Sequence, residues 1–103
     1  MKVLFDLNVP RPLRRELPGN EVMAAQAMGW GELENGDLVA AGEKAGFGAL
    51  ITADRNLRYQ QNMTGRAIGL VVLPNNKLRL LRTLAPTIRE ALERLKPGGY
   101  IEL

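Results

Sequence analysis

The chain is expected to fold as an α/β sandwich of three layers, with a central, mostly parallel sheet of four to five strands and helices on both faces. Three observations predict this. Short apolar runs at residues 2–5, 49–52 and 67–73 have the length and β-branched content of buried strands. Helix-type segments at 35–45 and 77–96 separate them, so strand and helix alternate along the chain, the pattern of a parallel sheet. At 103 residues and 46% hydrophobic content, the chain suffices for one core. No repeat, linker or low-complexity segment divides it, so residues 1–103 read as a single domain.

The elements follow in order. Residues 2–5 form a strand that stops at Asp6, and 7–10 read as loop because a residue before proline avoids the helical region. Residues 11–17 fit a short basic helix with Pro12 in its first turn. Pro18, Gly19 and Asn20 make a turn, and 21–25 form a brief strand. Asn35 is expected to cap a helix running to about Ala45 and closed by Gly46. Its residues Leu38, Val39, Ala41, Gly42 and Ala45 form one small face suited to close packing on a sheet. Residues 49–52 are a buried strand ending just before Asp54. Residues 57–62 read as a short helix, with a break at Thr64 and Gly65. Residues 67–73, the most hydrophobic stretch, are expected to be the central strand. The 77–96 segment carries Leu81, Leu84, Ile88, Leu92 and Leu95 at helical spacing, with Pro86 splitting or kinking it. Glu90 and Arg94 form an i,i+4 pair on its other face. Residues 97–99 stop it, and 100–103 form a last strand.

Composition excludes whole classes of chemistry. The chain has no cysteine and no histidine, so disulfides, zinc ribbons, thiol nucleophiles and histidine triads are out. Any metal must be bound by oxygen, which favours Mg²⁺, Mn²⁺ or Ca²⁺. The run after Met1 meets Asp6 too soon for a signal peptide, and no apolar run approaches the ~18 residues of a membrane span, so a soluble, cytoplasmic protein is expected. The net charge is +3 and ten of the fourteen cations are Arg. Arg suits bidentate phosphate contacts, although a high-GC genome produces the same bias.

The acids are more telling. Only three of the eleven are Asp: Asp6, Asp37 and Asp54. Ligands of open parallel sheets bind outside the carboxyl ends of the strands. Asp6 ends the first strand, Asp54 follows the 49–52 strand, and Asp37 lies in the first turn of a helix whose start faces the same rim. Asn8 and Asn56 each follow an Asp by two residues. Carboxylates gathered without His or Cys have the composition of a Mg²⁺ or Mn²⁺ site, whose chemistry is phosphodiester hydrolysis by metal-activated water. Each Asp also has a structural reading: Asp54 as a helix cap, Asp37 as a partner of the helix dipole, and Asp6 as an Asx-turn before Pro10.

The segments Leu4-Phe5-Asp6-Leu7-Asn8-Val9-Pro10, Asn35-Gly36-Asp37-Leu38 and Leu50-Ile51-Thr52-Ala53-Asp54-Arg55-Asn56-Leu57 resemble the short bacterial PIN-like domains of toxin–antitoxin type, related to the VapC ribonuclease toxins. The resemblance extends to Tyr59-Gln60-Gln61-Asn62 and Val71-Val72-Leu73-Pro74. It implies a Mg²⁺- or Mn²⁺-dependent ribonuclease, with Asp6, Asp37 and Asp54 at the acidic catalytic and metal-site positions, RNA as substrate and a cognate antitoxin as partner. The chain departs from the pattern in two ways. PIN nucleases use about four acids where three are placed here, with Asn56 standing for the fourth as a weak oxygen ligand or supporting group alongside Asn8. Leu7 occupies a position that is often acidic or polar in the family. Fewer charges imply weaker metal binding.

On the substrate side, Arg14 and Arg15, with Arg11, flank Asp6 in sequence, and Arg55 and Arg58, with Arg66, flank Asp54. Both groups are expected to line the rim and contact phosphates, with Tyr59 stacking on an unpaired base. The alternative for each is a solvated helix face, with Tyr59 a packing residue. Trp30, between two glycines, reads as an anchor into the core or a partner surface, with Met23 and Met28 filling gaps near it. The competing function is a non-catalytic PIN-like module that binds a partner protein, with the aspartates structural. A homodimer is compatible with either reading. An Asp-x-Asp phosphatase fits less well because position 8 is Asn. A receiver-like phosphoacceptor domain lacks its paired acidic start and late Lys.

Overall fold

A computed structural model describes residues 1–55 and 63–103, with Asn35 described by its backbone alone. The expected helix at 57–62, and with it Asn56, Arg58 and Tyr59, lies outside the described residues. Five strands form one sheet among the described residues: β1 (Lys2–Phe5), β2 (Glu21–Ala24), β3 (Ala49–Thr52), β4 (Gly69–Val72) and β5 (Tyr100–Glu102). Their order is β2-β1-β3-β4-β5 and every pairing is parallel, so "mostly parallel" becomes wholly parallel.

The strands alternate sides residue by residue, which sorts the core into two clusters. Val3, Phe5, Ala49, Ile51 and Val71 face one way. There they meet Leu13 and Leu17 from a short 3₁₀ helix (Arg11–Glu16) and its exit, together with Leu81, Ile88, Ala91 and Leu92. Leu4, Leu50, Leu70 and Val72 face the other way, onto Leu38 and Val39 of helix α1 (Asn35–Lys44), with Phe47, Met63 and Ile68. Gly42 lets α1 sit close, since a Cβ there would lie 3.1 Å from Leu4 and 3.2 Å from Ile68. Gly46, at φ +87°, adopts the left-handed conformation that releases the chain from α1. Trp30 packs edge-on against Phe47, with ring centroids 6.1 Å apart, and Met23 and Met28 pack against the same cluster.

The C-terminal helical segment breaks where Pro86 requires. Helix α2 (Leu78–Thr83) ends at Leu84, and α3 (Ala85–Arg94) begins with the proline in its first turn, where a missing N–H costs nothing. The Glu90–Arg94 pair forms at 3.7 Å with both side chains exposed.

Two expectations are corrected. Glu34, not Asn35, occupies the N-cap of α1 and makes no side-chain capping bond; Asn35 is already helical. The apolar 67–73 stretch is not the central strand. It holds β4, next to the β5 edge, and the middle of the sheet is β3. Both strands are buried at all four positions, because each is covered on two faces by helices and loops, so hydrophobicity does not separate centre from off-centre.

Candidate functional site at the strand-end rim

The site begins with the register of β1 on β3. Phe5 pairs with Ile51, and one residue further the Asp6 N–H donates to the Ile51 carbonyl at 2.9 Å. Asp6 therefore stands beside Thr52 on the same side of the sheet. The Thr52 hydroxyl donates to Asp6 Oδ2 at 2.8 Å and accepts from the Asp54 N–H at 3.0 Å. Thr52 is the buried polar residue among the described residues, fully enclosed, and its hydroxyl has a donor role and an acceptor role both filled. Asp6 Oδ1 accepts from the Leu7 N–H at 2.8 Å.

Asn8 ties the same two loops from the other end: its Oδ1 accepts from the Ala53 N–H at 2.9 Å. One of the two lone pairs of this oxygen is thereby used at the β3 exit. Asp6 and Asn8 from one loop thus grip Thr52 and Ala53 of the other. The signal in the sequence was the repeated x-Asp-x-Asn after a strand; the role of Thr52, the first letter of Thr-x-Asp, was missed. A hydroxyl at the last position of an otherwise apolar strand was the clue, because a buried polar group must be bonded.

β1 and β3 are neighbours whose connections leave in opposite directions, to β2 on one side and to β4 on the other. That is the switch point of the sheet, where a crevice opens beyond the strand ends. Asp6 and Asp54 both lie there and both are partly exposed. Asp37 is exposed in the first turn of α1, whose start comes from the β2 end of the same rim. Among the described residues no group of three or more acidic side chains is close enough to hold a metal ion. The structure therefore links Asp6 to the backbone of Asp54 through Thr52 and leaves Asp37 outside a three-acid cluster. A small hollow of about 30 Å³ beside Asp6 is bounded by Leu7, Val9, Arg11, Ala25 and Gln26.

The cations divide. Arg14 and Arg15 are exposed on the 3₁₀ helix. Arg11 donates to Gln26 Oε1 at 2.8 Å. Arg55 is half exposed and pairs with Glu102 at the end of β5. Tyr100 donates to the same carboxylate at 3.1 Å; burial first, and then Glu102, hold its phenol above its ordinary pKa of 10.0. Arg66 turns away from this group to Glu43 of α1, at 3.0 Å. Glu43 also accepts from the Ala67 N–H; that bond first, then Arg66, hold its carboxyl below its ordinary value.

A divalent cation fits the donor chemistry at the rim: Mg²⁺ is commonly held by one or two carboxylates and otherwise by water and substrate phosphate. Asp6 and Asp54 supply that number of carboxylates. No helix among the described residues is long and apolar enough to cross a membrane. No family model, no curated protein and no solved structure matches the chain.

Proposed function

We propose that the chain is a metal-dependent ribonuclease of the short PIN-like kind, the toxin of a toxin–antitoxin pair, with Asp6 and Asp54 holding Mg²⁺ or Mn²⁺. The observation that carries the reading is the placement of Asp6 and Asp54 after adjacent strands at the switch point of a parallel sheet, joined by Thr52. A bound metal ion supplies activated water for phosphodiester hydrolysis. The chain supplies the rest: Thr52 and the Leu7 N–H fix the Asp6 carboxylate, Asn8 fixes the β3 exit, and Arg14, Arg15 and Arg55 offer phosphate contacts along the rim. Asp37, exposed in the first turn of α1, would complete the acidic set of this site.

The test is cleavage of a single-stranded RNA by wild type and by Asp6→Asn and Asp54→Asn, with Mn²⁺ and with chelator. The reading expects cleavage only by wild type and only with metal. A second reading, a non-catalytic module that binds a partner protein, is favoured by the lack of a three-acid group among the described residues. It expects no cleavage under any of these conditions.

A further inference from the structure

β2 is an outermost strand, and among the described residues no strand pairs with its outer edge. The Glu21 N–H donates to the Met1 carbonyl and the Ala25 N–H to the Phe5 carbonyl, so odd-numbered residues of this strand face β1. Because backbone groups alternate sides along a strand, the N–H and C=O of Val22 and the N–H of Ala24 point outward, and they form no hydrogen bond among the described residues. No Lys or Pro lies in this strand; its protections are its four-residue length and the charge of Glu21.

Directly above it, at the corner between the 3₁₀ helix and β2, lies a cavity of about 110 Å³. Phe5, Val22, Ala24 and Ala27 give it apolar walls, and Arg11 and Arg14 stand at its rim. Arg11, Arg14 and Arg15 have no carboxylate within ion-pair distance among the described residues. The patch is thus an open ladder, an apolar hole one side chain in size, and a group of arginines that form no ion pair among the described residues.

We propose that this edge receives an extended acidic segment of a partner protein, added to the sheet beside β2. Residues i and i±2 of a strand share a face. One apolar side chain therefore enters the cavity while the acidic side chains two residues before and after it meet Arg11 and Arg14. Main-chain bonds supply affinity and the cavity and arginines supply selectivity, as in other strand-addition complexes. A second copy of this chain is disfavoured, because it brings like-charged arginine rims together. RNA meets the arginines but offers nothing in register with the Val22 and Ala24 amides. The inference does not rest on nuclease activity, and Arg14 is the residue it shares with the proposed RNA contacts.

The experiment is an amide-resolved NMR titration of the whole chain with the blocked peptide acetyl-Thr-Glu-Thr-Val-Thr-Glu-Thr-amide. Saturable shifts and slowed hydrogen exchange at Val22 and Ala24 are expected. Binding should weaken by about tenfold or more when Lys replaces both Glu of the peptide, and likewise in the Arg11→Glu/Arg14→Glu protein. Both arginines are exposed, and an unchanged spectrum elsewhere shows that the variant is folded. Unaltered exchange at Val22 and Ala24, or equal binding of the Lys peptide, overturns the proposal. So does a heptauridylate that slows exchange at Val22 and Ala24 as the acidic peptide does, which reduces the patch to a site for any polyanion.

Discussion

The Thr52 hydroxyl, enclosed at the end of β3, donates to the Asp6 carboxylate at the end of β1 across 2.8 Å. The same oxygen receives the Asp54 N–H. One side chain, its own position fixed by the sheet, therefore holds the carboxylate of Asp6 and the backbone of Asp54. Thr52→Val keeps the shape and removes both bonds, leaving an amide without its partner. It is expected to cost about 1–3 kcal/mol in urea unfolding. Thr52→Ser keeps the hydroxyl, so metal binding should survive in Ser and weaken in Val. Equal metal affinity in the two variants counts against Thr52 as the positioning residue.

Gly69→Ala is expected to destabilise by about 1–3 kcal/mol, the range for overpacking. A Cβ at this position in β4 would lie 2.5 Å from Leu95 Cγ, closer than carbon atoms approach. Leu95→Ala opens the space, so adding it to Gly69→Ala should cost less than the sum of the two single changes. Strict additivity of the unfolding free energies contradicts the contact.

Glu43 makes stability depend on pH. Its folded-state pKa lies below the ordinary 4.5 because the Ala67 N–H and Arg66 bond the charged form. The unfolded state then takes up the proton first as pH falls. The contribution is thus fully present above about pH 4.5 and fades as pH drops through the depressed folded value. Wild type should exceed Glu43→Gln in melting temperature at neutral pH, and the gap should close on acidification. A gap that widens below pH 4.5 refutes this sign.

RNA binding should depend on the exposed arginines near the rim and weaken steeply with salt. Each lost phosphate contact flattens the logarithmic salt slope by about 0.7 for a single strand. Arg14→Ala/Arg15→Ala should show this flattening. Arg94→Ala, at the end of α3 where the chain turns back toward the start of β5, should not. Filter binding across salt reads the difference, and equal slopes remove the arginines from the site.

The strands were legible in the sequence because burial on both sides of a sheet leaves short, continuous apolar runs. Residues 2–5 and 49–52 carry the structure's own bounds for β1 and β3. Pro86 located the α2–α3 break for the same local reason. What stayed hidden was relational. Nothing local in Gly69–Val72 separates an off-centre strand from a central one, since order depends on which connection crosses which strand. The rim acids were legible as positions after strands, but Thr52 was not. Its function comes from the register of β1 on β3, which no single segment encodes. The pairing of Arg55 with Glu102 is of the same kind, joining residues far apart in the chain through the end of β5.

The central claim is that Asp6 and Asp54 hold a divalent metal, and thermal unfolding in a Mn²⁺ titration tests it most directly. Ligand that binds only the native state raises the melting temperature with concentration, by about 2.7 kcal/mol of stabilisation at a hundredfold excess over Kd. The wild type should show a saturable rise that is lost in Asp6→Asn and in Asp54→Asn, with Mg²⁺ acting in the same direction. Melting temperatures that do not move with Mn²⁺, or that move equally in wild type and both variants, contradict the metal site.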